Sequence, residues 1–315
     1  MPAWRRIGTS AHLSTPVHLH STMITLTFVR HGESTDNLRS CWAGWADAAL
    51  SNHGLNQAKA AGKFFSTYRI THMFASDLKR AHSTARAIYD AQPDPKPPLT
   101  VTELIREQHF GEGEGKEWGN DEWCQPAGRD GKFAGGESLD DVARRADEFF
   151  ETYLAPIIKD SVHKPSGEVN VVVVSHGICI AETLGALKRR CAHLDTNGWS
   201  GRFRGLHNTA WTRVSIGLAE IELLGDTPGS NGTPSPSMTP DPGATLATKL
   251  EESAPPPAQC DETGPPSLHM KIIACNQHGH LNGVVREKDG NQSSGDDPNQ
   301  RKIREFFGGG GGADN

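Results

Sequence analysis

Two apolar runs, far apart in the chain, each end in a histidine followed by glycine, and together they narrow the possible folds more than any other feature. The first is the run Ile24 to Val29, continued by Arg30-His31-Gly32-Glu33-Ser34-Thr35-Asp36-Asn37. The second is Val171-Val172-Val173-Val174, continued by Ser175-His176-Gly177. A short continuous run rich in β-branched residues reads as a strand buried on both faces, the pattern of a parallel sheet. Each run delivers its histidine at the C-terminal end, where a loop turns into a helix. In open α/β sheets that edge is where ligands bind. Two histidines, an adjacent arginine and a nearby asparagine would surround one phosphate-sized anion there.

The rest of the chain reads as alternating strands and helices. Ser51 is placed to cap an amphipathic helix over 54–68, with Leu55, Ala58, Gly62 and Phe65 on one face. A strand over Thr71–Ala75 leads to Ser76-Asp77, where Asp77 suits the N-cap of a helix through Tyr89. A strand at Leu99–Leu104 follows, then an irregular Gly-, Glu- and Trp-rich stretch over 111–135. A long helix begins near Glu137 or Ser138 and runs to about Lys159. After the strand Asn170–Val174 comes a helix from Ile178 to about Lys188. Segments Ala210–Ile216 and Ala219–Leu224 read as a hairpin across Gly217, and Met270–Cys275 as a last strand returning to the sheet edge. This order predicts an α/β fold: three layers, αβα, around a mostly parallel central sheet.

Apolar residues make up 35% of the chain, and the deficit is concentrated in a few segments. The expected organisation is a flexible extension over 1–22, one domain over 23–224, a disordered Pro/Gly/Ser/Thr-rich insertion over 225–268, a late strand within 269–286 and a disordered tail over 287–315. Net charge is −6, so no global positive field draws the chain to nucleic acid or an acidic membrane surface, and an anion site must be local. No apolar run has the length to span a membrane. The six cysteines contain no CxxC pair, which favours a reduced compartment and argues against a zinc site. A cytoplasmic protein is expected. The first 22 residues, with Arg5, Arg6, several hydroxyls and no acid, keep a mitochondrial presequence as the alternative.

Three further elements join the two histidine turns: Ser76-Asp77-Leu78-Lys79-Arg80, Arg106-Glu107 followed by Gly111 and Glu114-Gly115, and Gly135-Gly136-Glu137-Ser138. Alone, each is ordinary: a helix start, a surface carboxylate, a capped helix. In this order they resemble the histidine phosphatase superfamily, the phosphoglycerate-mutase-like proteins in which a histidine is transiently phosphorylated. The resemblance implies His31 as nucleophile, Arg30 and Arg80 as forks on the phosphate oxygens, His176 as a second imidazole stabilising charge, and Glu107 as the acid and base. It implies substrate contacts from Arg30, Asn37, Arg80, Gly177, Ser34 and Gly44. It assigns Glu114 and Asn208 structural parts. Neither a metal nor another cofactor is expected, because arginines and imidazoles supply the charge that phosphoryl transfer needs.

The implied activity is hydrolysis of a small phosphorylated metabolite. The late Ala274-Cys275-Asn276 and His280-Leu281-Asn282-Gly283 resemble the fructose-2,6-bisphosphatase branch. A phosphoglycerate mutase is the first alternative, since Trp42-Ala43-Gly44-Trp45-Ala46-Asp47 resembles the mutase loop. Against it, the stretch after Glu107 carries Glu117, Asp121 and Glu122 with one Arg129, where a small acid phosphate would meet repulsion. A phosphoprotein phosphatase and a non-catalytic binding protein are the remaining readings. Arg202 and Arg204 are candidates for a second phosphate. Trp118 and Trp123 are candidates either to cap the mouth of the site or to pack the irregular stretch.

Overall fold

The two histidine-ending runs are neighbours in space. A computed structural model of the chain describes residues 24–118, 123–163, 167–198, 201, 203, 205–218 and 268–286. Its sheet contains β1 (Ile24–Arg30), β2 (His72–Ser76), β3 (Leu99–Thr102), β4 (Val169–Ser175), β5 (Cys191–Asp195), β6 (Trp211–Leu218) and β7 (Leu268–Gln277). The spatial order is β3-β2-β4-β1-β6-β7-β5. β1 pairs in parallel with β4, β4 with β2, and β2 with β3. β6 runs antiparallel to both β1 and β7, while β5 is parallel to β7.

The helices are α1 (Thr35–Arg39), α2 (Asn52–Phe65), α3 (Lys79–Asp90), α4 (Leu139–Phe149), α5 (Ala155–His163) and α6 (Gly177–Arg189). Alternation along the central strands builds a core on each face of the sheet. Leu26, Phe28, Val171, Val173 and Phe74 join one cluster with Val142 and Phe149 of α4 and Leu184 of α6. Val29, Val172, Val174, Met73 and Ala75 join the other with Ala61 and Phe65 of α2 and Ala85 and Ile88 of α3. Each fully buried side chain of this kind contributes roughly 1.5–3 kcal/mol relative to exposure, so covering both faces is what makes a continuous apolar strand stable here. The three-layer α/β expectation is met.

Several local expectations are not. Leu55 is 43% exposed, because α2 turns Gly54, Ala58, Ala61, Gly62 and Phe65 inward instead. Gly54 explains that rotation: a Cβ there would lie 2.0 Å from the Glu33 carbonyl oxygen, so only glycine lets α2 approach the turn after β1. Asp77 does not cap α3. Leu78 takes that position with no side-chain cap, and Asp77 is spent on the Arg106 guanidinium, whose Nε donates to Oδ1 at 2.8 Å. β3 stops at Thr102, where a single tight turn over Glu103–Ile105 takes over. The long helix starts after a Ser138–Asp141 capping box and continues to His163 through a wider π-helical segment at Phe150–Leu154.

The greatest difference lies beyond α6. Gly217 is not a turn, since β6 runs straight through it, paired with His269. The expected second arm, 219–224, lies outside the described residues, as do the extension over 1–22, the tail over 287–315 and the insertion except Leu268. β7 is not at the edge either. It is inserted between β6 and β5, a strand that no sequence pattern announced. Among the described residues, no helix is long and apolar enough to cross a membrane.

Candidate active site

Register brings the two histidines together. Arg30 of β1 pairs with Ser175 of β4, so His31 and His176 stand one residue past the same level of two adjacent parallel strands. Their ring centroids are 5.0 Å apart and both side chains are buried. His31 Nδ1 lies 2.6 Å from the carbonyl oxygen of Gly32, which can only accept, so Nδ1 carries the proton and Nε2 keeps its lone pair. Burial first, then the charges of Arg80 and Arg30, hold the His31 pKa well below the usual histidine range. The ring is therefore neutral, as a nucleophile must be. His176 is held neutral by the same causes, burial first and then Arg80. Its Nε2 is 2.9 Å from the Ser76 hydroxyl, and with that hydroxyl donating, Nδ1 carries the proton.

The arginines are fixed by backbone carbonyls rather than by carboxylates. Arg30 Nη1 donates to Leu206 at 2.5 Å. Arg80, in the first turn of α3, donates from Nη1 to Ala46 at 3.0 Å and from Nη2 to Gly44 at 2.7 Å. Carbonyl partners orient a guanidinium without cancelling its charge, which stays available to an anion. Gly44 presents its carbonyl with φ at +47°, and Glu114 lies against it and accepts from the Trp45 N–H at 2.7 Å, the structural part expected of Glu114.

Glu107 reaches the site across the start of α6. Its Oε1 accepts from Cys179 N at 3.2 Å and its Oε2 from Ile178 N at 3.3 Å. These are N-terminal donors of the helix, without partners inside it, and they fix the position of the Glu107 carboxyl group. A point one Cβ bond off Gly177 lies 3.9 Å from Glu107 Oε2 and 4.0 Å from Arg30 Nε, so both atoms flank that glycine.

Three buried nitrogens have no hydrogen-bond partner among the described residues and belong to this group: Arg30 Nε, Arg80 Nε and His176 Nδ1. Buried donors are rarely left unsatisfied, and Arg30 and Arg80 at the cavity, with His176 behind His31 and not itself lining it, fit a place for an acceptor with several oxygens. The cavity of about 110 Å³ there is lined by Arg30, His31, Asn37, Gly44, Arg80, Glu107 and Gly177, with Trp42, Phe110 and Trp118 as aromatic wall. Asn37 Oδ1 is taken by Ser34 N at 3.0 Å and Asn208 Nδ2 at 3.3 Å, leaving its amide nitrogen to offer. Ser34 stands apart from the expected substrate contacts. It is fully buried, does not line the cavity, and its hydroxyl caps α1 through Asn37 N. Arg202 and Arg204 lie outside the described residues. Trp118 lines the cavity, whereas the Trp123 carbonyl accepts from Trp42 Nε1 at 3.2 Å and packs the irregular stretch.

The structure also brings to the site residues to which the sequence assigned no part there. Trp45 Nε1 donates to the Glu107 carbonyl at 2.7 Å. Arg145 donates to the same carbonyl at 3.2 Å and to Leu104 at 2.9 Å, while both its ends grip Glu137, at 2.7 and 2.8 Å. An arginine between Val142 and Phe149 on the apolar stripe of α4 was the available signal. Among the described residues, no group of three or more His, Cys, Asp or Glu side chains is arranged to hold a metal.

Known proteins resemble this chain over about half of its length or more. A 2,3-bisphosphoglycerate-dependent phosphoglycerate mutase from Gloeobacter violaceus is 31% identical over 172 residues, 51% of this chain and 74% of its own length. Fructose-2,6-bisphosphatase TIGAR from Xenopus tropicalis is 35% identical over 152 residues, 46% of this chain; the match spans only about half of that relative, 54%. Among solved structures, a mycobacterial glucosyl-3-phosphoglycerate phosphatase complexed with VO3 superposes with a TM-score of 0.51 at 27% identity, covering 61% of this chain and 91% of that one. The family model described as histidine phosphatase superfamily (branch 1) matches residues 26–225, which spans both histidine turns, Arg80 and Glu107; the chain belongs to that superfamily.

Proposed function

We propose that the protein is a metal-independent phosphomonoester hydrolase that works through phosphohistidine on a small phosphorylated metabolite. One observation carries the reading: His31 Nε2 with a free lone pair beside three buried, unpartnered donors, Arg30 Nε, Arg80 Nε and His176 Nδ1. Nε2 attacks phosphorus, and the bond to the ester oxygen breaks as Glu107 protonates that oxygen. The arginines, His176 and the Asn37 amide hold the three remaining oxygens as charge spreads over them. Water then attacks the phosphohistidine, with Glu107 taking its proton, and releases phosphate and the neutral ring.

Fructose-2,6-bisphosphate is the first substrate to try, on the likeness to TIGAR, and glucosyl-3-phosphoglycerate the second, on the likeness to the mycobacterial phosphatase. The mutase relatives keep phosphoglycerate isomerisation as the competing reading. Hydrolysis is favoured because, among the described residues, Arg30 and Arg80 are the cations lining the cavity, and a third to hold a carboxylate does not line it. The test is phosphate release from those esters, 3-phosphoglycerate, 2,3-bisphosphoglycerate and a phosphotyrosine peptide, with and without EDTA, beside His31→Ala. One preferred ester, insensitive to EDTA and lost in the mutant, is expected. Isomerisation of phosphoglycerate faster than any hydrolysis overturns it. Glu107→Gln slows turnover by about 10²-fold or more, the scale of general acid–base catalysis.

A further inference from the structure

The segment Leu268–Arg286 reaches the turn that carries His31 once directly and twice through the loop 205–209, although some 237 positions of sequence separate it from His31 at its nearer end. Asn276 holds the loop 205–209: its Oδ1 accepts from His207 N at 2.9 Å and its Nδ2 donates to the Gly205 carbonyl at 3.4 Å. That loop supplies the Leu206 carbonyl that orients Arg30. His280, half-buried against Phe64 of α2, has Nε2 3.0 Å from the Thr209 hydroxyl. Thr209 in turn donates its backbone N–H to the His31 carbonyl at 3.2 Å, joined there by Asn208 Nδ2 at 3.2 Å. The third contact is Arg286, whose guanidinium pairs with the carboxylate of Glu33, two residues after the nucleophile.

Two features make these contacts more than packing. Thr209 has φ at +56°, a conformation that a β-branched residue adopts only when its surroundings hold it there. The hydrogen bond to His280 is the side-chain restraint on that residue, and its N–H lies one bond path from His31. Glu33 is 6% exposed, so its carboxylate needs partners for both oxygens: Ser51 Oγ donates to Oε1 at 2.7 Å, and Arg286 serves Oε2. Glu33 is also threaded into the fold by its backbone, with N donating to Gln57 at 2.9 Å and O accepting from Ser51 at 2.9 Å. Any shift of its side chain is passed to the turn that holds His31.

We propose that the late segment is a working part of the catalytic turn, with His280 acting through Thr209 and Arg286 acting through Glu33 as positioning residues for His31. The proposal rests on the phosphohistidine reading. Neither residue lines the cavity, so phosphate binding by Arg30 and Arg80 should survive their loss while the attack geometry does not. A nucleophile displaced by about 1 Å costs up to roughly 10²-fold in rate.

The test uses the full chain and 4-nitrophenyl phosphate as the probe ester. Arg286→Ala and His280→Ala should each lower kcat about tenfold or more with KM within twofold of wild type, and Arg286→Lys should recover at least half of the loss. Glu33→Gln keeps the Ser51 hydrogen bond but not the ion pair, and should match Arg286→Ala. The double variant Glu33→Gln/Arg286→Ala should be no slower than the worse single one, as expected for two ends of one contact. Unchanged kcat in folded variants overturns the proposal and leaves the hydrolase reading intact. So does a loss that follows only the folded fraction, measured by thermal melt at the assay temperature, or that appears in KM alone. A wild-type chain that hydrolyses neither this ester nor the metabolite panel overturns both.

Discussion

His31 and His176 occupy equivalent places: each follows the last residue of a parallel strand, each precedes a glycine, and their strands are in register. Their surroundings differ in how far away the partner comes from. His31 is oriented by the carbonyl of its own neighbour Gly32, a contact within one peptide unit. His176 is oriented by Ser76, a hundred residues earlier, at the end of β2. The local bond leaves His31 with a free lone pair at Nε2. The distant one leaves His176 with a proton at Nδ1 and no acceptor. One strand–histidine–glycine unit has thus been used twice, and the partner of each ring leaves one a lone pair to offer and the other a proton, the two roles that the proposed mechanism needs.

Exchanging the two roles is the strongest way to break that comparison. His31→Ala should remove turnover and acid-labile phosphate labelling together, by at least about 10⁴-fold. His176→Asn, which deletes one donor at the developing charge, should lower kcat by about 10²–10³-fold while the label on His31 still forms. Equal losses, or a label that persists without His31, would show that the assignment is reversed. Ser76→Ala should act less, lowering kcat by about tenfold or less and stability by roughly 1–3 kcal/mol, because it releases the His176 tautomer without removing the ring. The same substitution should leave labelling of His31 in place; its loss would mean that Ser76 serves both histidines.

The smallest effect is in stability against pH. Both rings are held neutral in the fold, with pKa values well below the 6.5 or so of an unfolded chain. As pH falls through about 6.5, the unfolded chain takes up protons that the folded one refuses, so stability is full above that pH and is lost with acid. At pH 5.5 the cost is on the order of 1 kcal/mol per histidine, a few degrees in Tm for a domain of this size. His280, whose pKa burial lowers to about 4, adds to the same slope. His176→Asn should therefore lose less Tm between pH 7.5 and 5.5 than the wild type; an equal loss would mean that His176 is charged in the fold.

Particular residues show what was legible before the structure. The strands β1 and β4, the Ser51 cap and the helix start near Ser138 follow local rules, periodicity and short side-chain hydrogen bonds, and they were read correctly. Asp77 and Gly217 were misread for one reason. Each has an ordinary local use, a cap or a turn, and each is claimed by a distant partner, Arg106 or the strand β7. Ser34 was expected among the substrate contacts because it neighbours the nucleophile in sequence, yet the start of α1 consumes its hydroxyl. The link of Arg145 and Trp45 to Glu107 went unnoticed because it runs to the Glu107 backbone carbonyl, an acceptor that every residue carries and that no residue type marks.

By itself the sequence determined that two buried strands end in histidines beside an arginine, and that the chain has the residues for phosphoryl chemistry. Hydrophobic periodicity and residue type are local properties, so they can be read without coordinates. Only the tertiary structure decided that Arg30 faces Ser175 across the sheet, that Glu107 sits on the start of α6, and that a strand from the far end of the chain enters beside β6 to hold the nucleophile's turn. These depend on strand order and on which helix end meets which carboxylate. Pairings of that kind join residues whose separation along the chain carries no signal of its own.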